Sequence, residues 1–200
     1  MNDPEAQGWG SFSNSFCLEK VDPLEAHRLA IQRHLLEFNL VLKDDAEWLS
    51  SINLRRFIFA YFQNFHPYLR FLHIPTWSVA NSPTTLIFAM ALVGSSYTQN
   101  LAIGAVKNLK RAYRLVPHAI DMIKHDISAS PYGKPSLESI QAMYVLTIFR
   151  TFYIGVDGAC EVRHRNLEYI ELVRKAGLFL PSSERPETWE SWIHEEKRKR

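Results

Sequence analysis

Cysteine is scarce: Cys17 and Cys160 are the only two in 200 residues. So far apart, they form neither a C-x-x-C pair nor a disulfide framework, which fits a reducing compartment such as cytosol or nucleus. The first twenty residues are polar and glycine-rich and contain no apolar run suited to a signal peptide. A spanning helix needs roughly 18 or more apolar residues, and the longest uninterrupted stretch, Leu86 to Val93, is much shorter. Excess charge is missing too. With 23 basic and 21 acidic residues the formal net charge is +2, so general attraction to nucleic acid or to an anionic membrane is not expected. No segment alternates as a half-buried strand does.

The motifs of common chemistry are also absent. There is no G-x-x-x-x-G-K-[ST] phosphate loop, no G-x-G-x-x-G and no G-x-S-x-G nucleophile elbow. Gly155 and Gly158 follow a helical pattern, not a strand, and read as a turn.

What is present is apolar and helical. At 46% apolar and 12% aromatic residues, the chain can bury a sizeable core as one domain, or one domain plus a tail. Residues 1–20 lack periodicity and read as a disordered lead, with Trp9, Phe12 and Phe16 free to touch something in passing. Asp22-Pro23 opens a helix, with a capping carboxylate followed by a proline suited to the first helical position. Leu24, Ile31, Leu35, Phe38 and Leu42 keep one face apolar. The register is nearly a heptad, broken by Arg28. A packed amphipathic helix is one reading, and a two-chain coiled coil making a homodimer is the other.

A second helix is expected over about 51–65, with Leu54, Phe57, Ile58, Tyr61, Phe62 and Phe65 as an aromatic stripe. His66-Pro67 ends it, because proline disfavours helix at the residue before it. The connection from Tyr68 to Trp77 is too apolar for a free loop and should lie on the core. Further helices are expected at about 84–98 (Leu86, Ile87, Met90, Ala91, Val93, Tyr97) and 101–127 (Leu101, Ala105, Leu109, Ala112, Val116, Ile120, Ile123, Ile127). Pro117 should kink or split the latter. Ser128 to Pro135 is turn chemistry. Ser136 then caps a helix at 137–153 with Leu137, Ile140, Tyr144, Ile148 and Phe152 inward. Another spans 159–176 on Val162, Asn166, Tyr169, Ile170 and Val173, stopped by Gly177. A last helix starts near Pro186. The fold class expected is an all-α, multi-helix domain.

Candidate reactive clusters are thin. His194-Glu195-Glu196-Lys197-Arg198 begins like a zinc-protease helix, but a cation, Arg198, stands where the second histidine should be. Asp44-Asp45-Ala46-Glu47-Trp48 begins like a diphosphate–magnesium motif that Trp48 cannot complete. His118, Asp121 and His125 share a helical face and make the best metal candidate, yet three groups over two turns still need a fourth ligand. Polar residues facing solvent are the simpler account. No catalytic residue, cofactor-binding residue or metal ligand is assigned. A small helical enzyme would have to lose turnover on substitution of His118 or His125. Lys197 to Arg200 is either a nuclear address or the solvated end of a helix, paired at i,i+4 with Glu195 and Glu196.

One stretch goes beyond class-level reading. Asn53 to Phe65-His66-Pro67, followed by Phe71-Leu72-His73-Ile74-Pro75-Thr76-Trp77, resembles the opening of the middle homology region of fungal-specific transcription factors. In that family an aromatic helix ends in Phe-His-Pro and leads to a Leu-His-x-Pro-Thr-aromatic turn. Leu86 to Gly94, the Leu137 to Leu146 helix with Gln141-Ala142, Val173 to Leu178 with Gly177, and Trp189 to Arg198 with Trp192, Glu195 and Glu196 resemble later segments in the same order. The resemblance covers about residues 50–200. It divides the chain into a lead (1–20), an amphipathic helix and linker (21–48) and the front part of a regulatory domain (49–200).

Most signature residues look like core and caps. Phe57, Phe62, Phe65, Trp77, Trp189 and Trp192 are expected as packing anchors. The resemblance implies a nuclear regulatory module of a polymerase II transcription factor, answering to a metabolite or a co-regulator protein. DNA would be reached only through a separate zinc-dependent domain, and two cysteines cannot build its six-cysteine cluster or paired two-cysteine two-histidine fingers. The family's region continues past the Trp-rich segment, so Arg200 reads as an interruption that would leave apolar surface exposed. The alternative is a helix-rich interaction or dimerisation module without a DNA role.

Overall fold

The computed structural model describes residues 22–37, 47–98, 102–153, 159–178 and 188–193, without the side chains of 102–106, 153 and 159–166. The expectations for Trp9, Phe12, Phe16, Cys17, Phe38, Leu42, Asp44, Asp45, Leu101, Gly155, Gly158, Pro186 and residues 194–200, and for the side chains of Ala105, Cys160, Val162 and Asn166, lie outside these.

Among the described residues every regular element is helical. Helix α1 (Pro23–Glu37) starts where Asp22 accepts from the Leu24 amide at 3.1 Å. Its face of Leu24, Ile31 and Leu35 is wholly buried inside the single chain, and the three residues belong to the same core as the rest of the domain. This is the packed-helix reading of the near-heptad. Arg28, which breaks the register, turns aside to pair with Glu25 and donates to Gln32 at 2.6 Å.

Helix α2 (Ser51–Asn64) is capped by Ser50, whose hydroxyl accepts from the Asn53 amide at 3.4 Å. All six residues of the expected stripe are buried, Tyr61 and Phe62 almost completely. Helix α3 (Thr84–Ser95) buries every residue from Thr85 to Ser95. The sequence suggests an apolar face, but Phe88, Ala89 and Leu92 are sealed as well. A helix apolar all round is a central helix, and α3 packs on α1, α2 and the two helices that follow. Gly94 sets the approach of α2. A Cβ there would stand 1.8 Å from the Phe57 carbonyl oxygen and 3.0 Å from the Tyr61 nitrogen.

Helix α4 (Ala102–Ala129) runs unsplit through Pro117. The proline lies on the exposed side, so its ring and missing N–H fall where water can serve the orphaned carbonyl. Leu115, Ala119 and Met122 join the expected Ala112, Val116 and Ile123 in the buried face. A short 3₁₀ turn at Pro131–Gly133 follows, with Tyr132 and Gly133 at φ 60° and 61°. Helix α5 (Leu137–Tyr153) opens as expected, with Ser136 Oγ accepting from the Ser139 amide at 3.1 Å.

The inward face of α5 differs from the expected one. Ile140, Ala142, Met143, Val145, Leu146 and Phe149 are buried, whereas Phe152 is 77% exposed. Nearly every residue from Ala142 to Phe149 is apolar, so the pattern names no face. Contact with α3, α4 and the next helix decides it. Helix α6 (Ala159–Lys175) ends on Gly177 at φ 74°. The Gly177 amide donates to Arg174 at 2.9 Å and the Leu178 amide to Val173 at 3.2 Å, the two bonds of a Schellman stop.

Candidate functional site

The signature residues of the Phe-His-Pro region converge. Phe65 and His66 both donate backbone N–H to the Tyr61 carbonyl, at 2.9 and 3.0 Å, and Pro67 then prevents another turn of helix. The chain doubles back with Phe71 and Leu72 buried. It tightens into a 3₁₀ turn at Ile74–Thr76, where Pro75 needs no amide partner. His73 closes that turn with its Nδ1 2.8 Å from Thr76 Oγ1. Trp77 emerges from the turn and meets Phe62 edge to face, with ring centroids 4.9 Å apart. His66 meets the same Phe62 ring at 5.4 Å, and Phe65 lies 5.2 Å from Tyr61. Gln141 crosses from α5 and donates its side-chain amide to the Phe71 carbonyl at 3.1 Å.

These residues make an aromatic knot tying α2 to the turn that enters α3. Edge-to-face pairs of this kind contribute about 0.5–1.5 kcal/mol each beyond area burial. Tyr61 lies in the same layer, and burial pushes its phenol well above the ordinary value. Beside the knot, His73, Thr76, Trp77, Asn81, Glu138 and Gln141 line a cleft of about 70 Å³. That volume is far below the roughly 300–1,000 Å³ of ordinary ligand pockets. Its capacity is a few waters.

A larger cleft opens elsewhere. Glu47, Trp48, Asn53, Lys107 and Arg111 line an open cleft of about 360 Å³. Trp48 is buried, donates Nε1–H to Asn108 Oδ1 at 3.1 Å, and packs on Phe57 at 4.9 Å. The Arg111 guanidinium stands 5.8 Å from the indole centroid, within cation–π range. Sequence reasoning missed this site. Its only reading of Trp48 is as a failed metal ligand, and no spacing in the chain links that residue to Lys107 and Arg111 one helical turn apart on α4.

Other sequence candidates stay separate. Asp121 and His125 are exposed on α4, while His118 is half-buried. Desolvation lowers the His118 pKa first of all, Asp121 opposes that shift, and His34 and Arg114 add to it. Among the described residues no group of three or more His, Cys, Asp or Glu side chains is placed to hold a metal ion. Gly177 serves as a helix stop, distant in role from the knot. Trp189 and Trp192 are not the packing anchors expected: they are 71% and 41% exposed. They stack on each other at 4.9 Å with planes 18° apart, because i and i+3 positions adjoin on one helical turn. The Ser191 amide donates to Thr188 Oγ1 at 3.1 Å and caps that turn. Glu195 and Glu196 lie outside the described residues. Among those residues no helix is long and apolar enough to cross a membrane.

Residues 58–200 match the family described as the fungal specific transcription factor domain. A relative, transcription factor verF of Penicillium polonicum, is 25% identical over 150 residues, covering 70% of this chain and 20% of its own length. The chain thus spans about a fifth of that relative. No solved structure matches. The matched region starts inside α2, just ahead of the Phe-His-Pro knot, and runs through α3, α4, α5 and α6. It is a family of transcription-factor domains, not of enzymes, and this chain belongs to the fungal specific transcription factor domain family.

Proposed function

We propose that these residues form the regulatory module of a nuclear RNA polymerase II transcription factor, acting by control of transcription and not by catalysis. Sequence-specific DNA contact then belongs to a zinc-dependent domain outside residues 1–200, because Cys17 and Cys160 cannot supply the thiolates of a zinc cluster. The observation that carries the reading is the family match over 58–200, which takes in the whole aromatic knot. Regulation would pass through α3, which packs on α1, α2, α4 and α5. An effector that favoured one packing of these helices would shift the population of active states.

The Trp48 cleft has the volume for a small-molecule effector, and Lys107 and Arg111 against the single carboxylate of Glu47 leave its wall net positive, which favours an anionic one. A co-regulator protein is the other route to the same control. The exposed Trp189–Trp192 stack favours that route, since indoles are enriched in protein interfaces. A homodimer through Leu35 would have to take that side chain out of the core, where it is fully buried.

The test is tethering. Residues 1–200 are fused to an unrelated DNA-binding domain and reporter transcription is measured in nuclei. The expected result is a several-fold change over the DNA-binding domain alone. The change should be lost when α3 is disrupted by Ile87→Asp. A reporter level identical with and without the fusion, from chain verified as folded and nuclear, would sink the proposal.

A further inference from the structure

We propose that Ser130 is a phosphorylation site for a proline-directed serine/threonine kinase. Two Ser-Pro pairs occur in the chain, Ser82-Pro83 and Ser130-Pro131, and the structure separates them. A kinase takes its substrate as an extended peptide, so the residues after the serine must be able to leave the fold. After Ser82 comes α3, where Thr85 is 1% and Leu86 1% exposed. Extending that segment would unwind the central helix.

After Ser130 the situation is the opposite. Pro131 is exposed, Tyr132 is fully exposed, Gly133 is half-buried with open space around its Cα, and Lys134 is exposed. Tyr132 is also held at φ 60°, a conformation that a bulky side chain gives up with gain. The four residues from Pro131 to Lys134 therefore offer a segment outside the core, between half-buried Ser130 and buried Pro135.

The chemistry balances with ATP as phosphate donor. The Ser130 hydroxyl oxygen attacks the γ-phosphorus in line. A new O–P bond forms as the bond from the γ-phosphorus to the β,γ-bridging oxygen breaks, ADP leaves, and the hydroxyl proton passes to the kinase's catalytic aspartate.

The modification would be read by α4. Ser130 Oγ lies 2.6 Å from the Ile127 carbonyl and 2.7 Å from the Lys134 carbonyl, and its single proton ties the end of α4 to the turn. Phosphorylation removes that donor. It also places about two negative charges beside a helix C-terminus, the end already partially negative. Ile127 is partly buried against the core, so loosening the last turn of α4 reaches the packed interior.

The experiment incubates the folded 200-residue chain with a cyclin-dependent kinase and magnesium ATP, then maps phosphate by peptide mass spectrometry and backbone opening by hydrogen exchange. Phosphate is expected on Ser130 and not on Ser82, lost in Ser130→Ala, retained in Ser130→Thr and largely lost in Pro131→Ala. Amides of residues 126–130 should exchange about tenfold faster in the phosphorylated chain. Ser130 unmodified in the folded chain, Ser82 modified in its place, or labelling indifferent to Pro131→Ala would each overturn the assignment. Exchange unchanged by the phosphate would overturn the coupling to α4.

Discussion

Two pairs of aromatic rings from the family signature meet at the same distance and do different work. Phe62 and Trp77 approach to 4.9 Å edge to face, with Phe62 sealed and Trp77 packed on the core. Trp189 and Trp192 also approach to 4.9 Å, but face to face and in contact with water. The first pair joins segments from opposite ends of a chain reversal, so it holds tertiary structure. The second lies within one turn of helix, so it adds area to a surface. A signature aromatic is thus scaffold or surface according to how far along the chain its partner lies, and a distant partner is what closes a core.

The knot depends on the close approach of α2 and α3, and the largest expected effect breaks that approach. In Gly94→Ala the new methyl meets backbone atoms of Phe57 and Tyr61, the nearest at 1.8 Å. Backbone cannot rotate away as a side chain can. The helices must separate, with a loss above about 3 kcal/mol, beyond ordinary overpacking. Urea unfolding checks it. A Gly94→Ala chain as stable as the parent would mean that α2 and α3 are further apart than described.

A second substitution sharpens the comparison in the other direction. The Tyr61 hydroxyl is buried without a hydrogen-bond partner among the described residues. Tyr61→Phe keeps the ring packed against Phe65 and removes an unsatisfied polar group. Stability should rise by about 1 kcal/mol, the lower end of the penalty for such a group. A loss on this substitution would show that the hydroxyl has a partner, such as a bound water.

The smallest effect concerns pH and lies away from both aromatic pairs. Burial holds the His118 pKa below its unfolded value of 6.5. Between the two values the unfolded chain carries more protons, so stability rises with pH. The contribution is lost as pH falls through 6.5 toward the lower folded value. His118→Gln should flatten the rise of the unfolding midpoint with pH just below 6.5 relative to the parent. An unchanged slope would assign the pH dependence to other groups.

Much of this fold was legible because its signals are local. Pro23, Ser136, Gly177 and His66-Pro67 mark helix ends by their own backbone preferences, and each end falls where those preferences put it. The α2 stripe was legible because its apolar residues repeat with the helical period. The α5 face was not, because apolar residues surround that helix and only its neighbours select a side. Pro117 misled for a related reason: whether proline interrupts a helix depends on which face carries it. The Trp48 cleft was illegible because it joins Glu47, Trp48 and Asn53 to Lys107 and Arg111, which lie far along the chain. His27 was missed likewise. Its ring bridges Thr84 Oγ1 at 2.9 Å and the Val79 carbonyl at 3.0 Å, and nothing near it in sequence announces partners so distant.

The most direct test of the scaffold-versus-surface distinction sets the two pairs side by side. Urea denaturation is measured for Phe62→Ala and for the double variant Trp189→Ala/Trp192→Ala. The account expects the first to lose about 3–5 kcal/mol, the range for deleting a buried phenylalanine. The second should lose less than about 1 kcal/mol, as exposed positions do. Equal losses in the two, or a larger loss in the tryptophan variant, would contradict it.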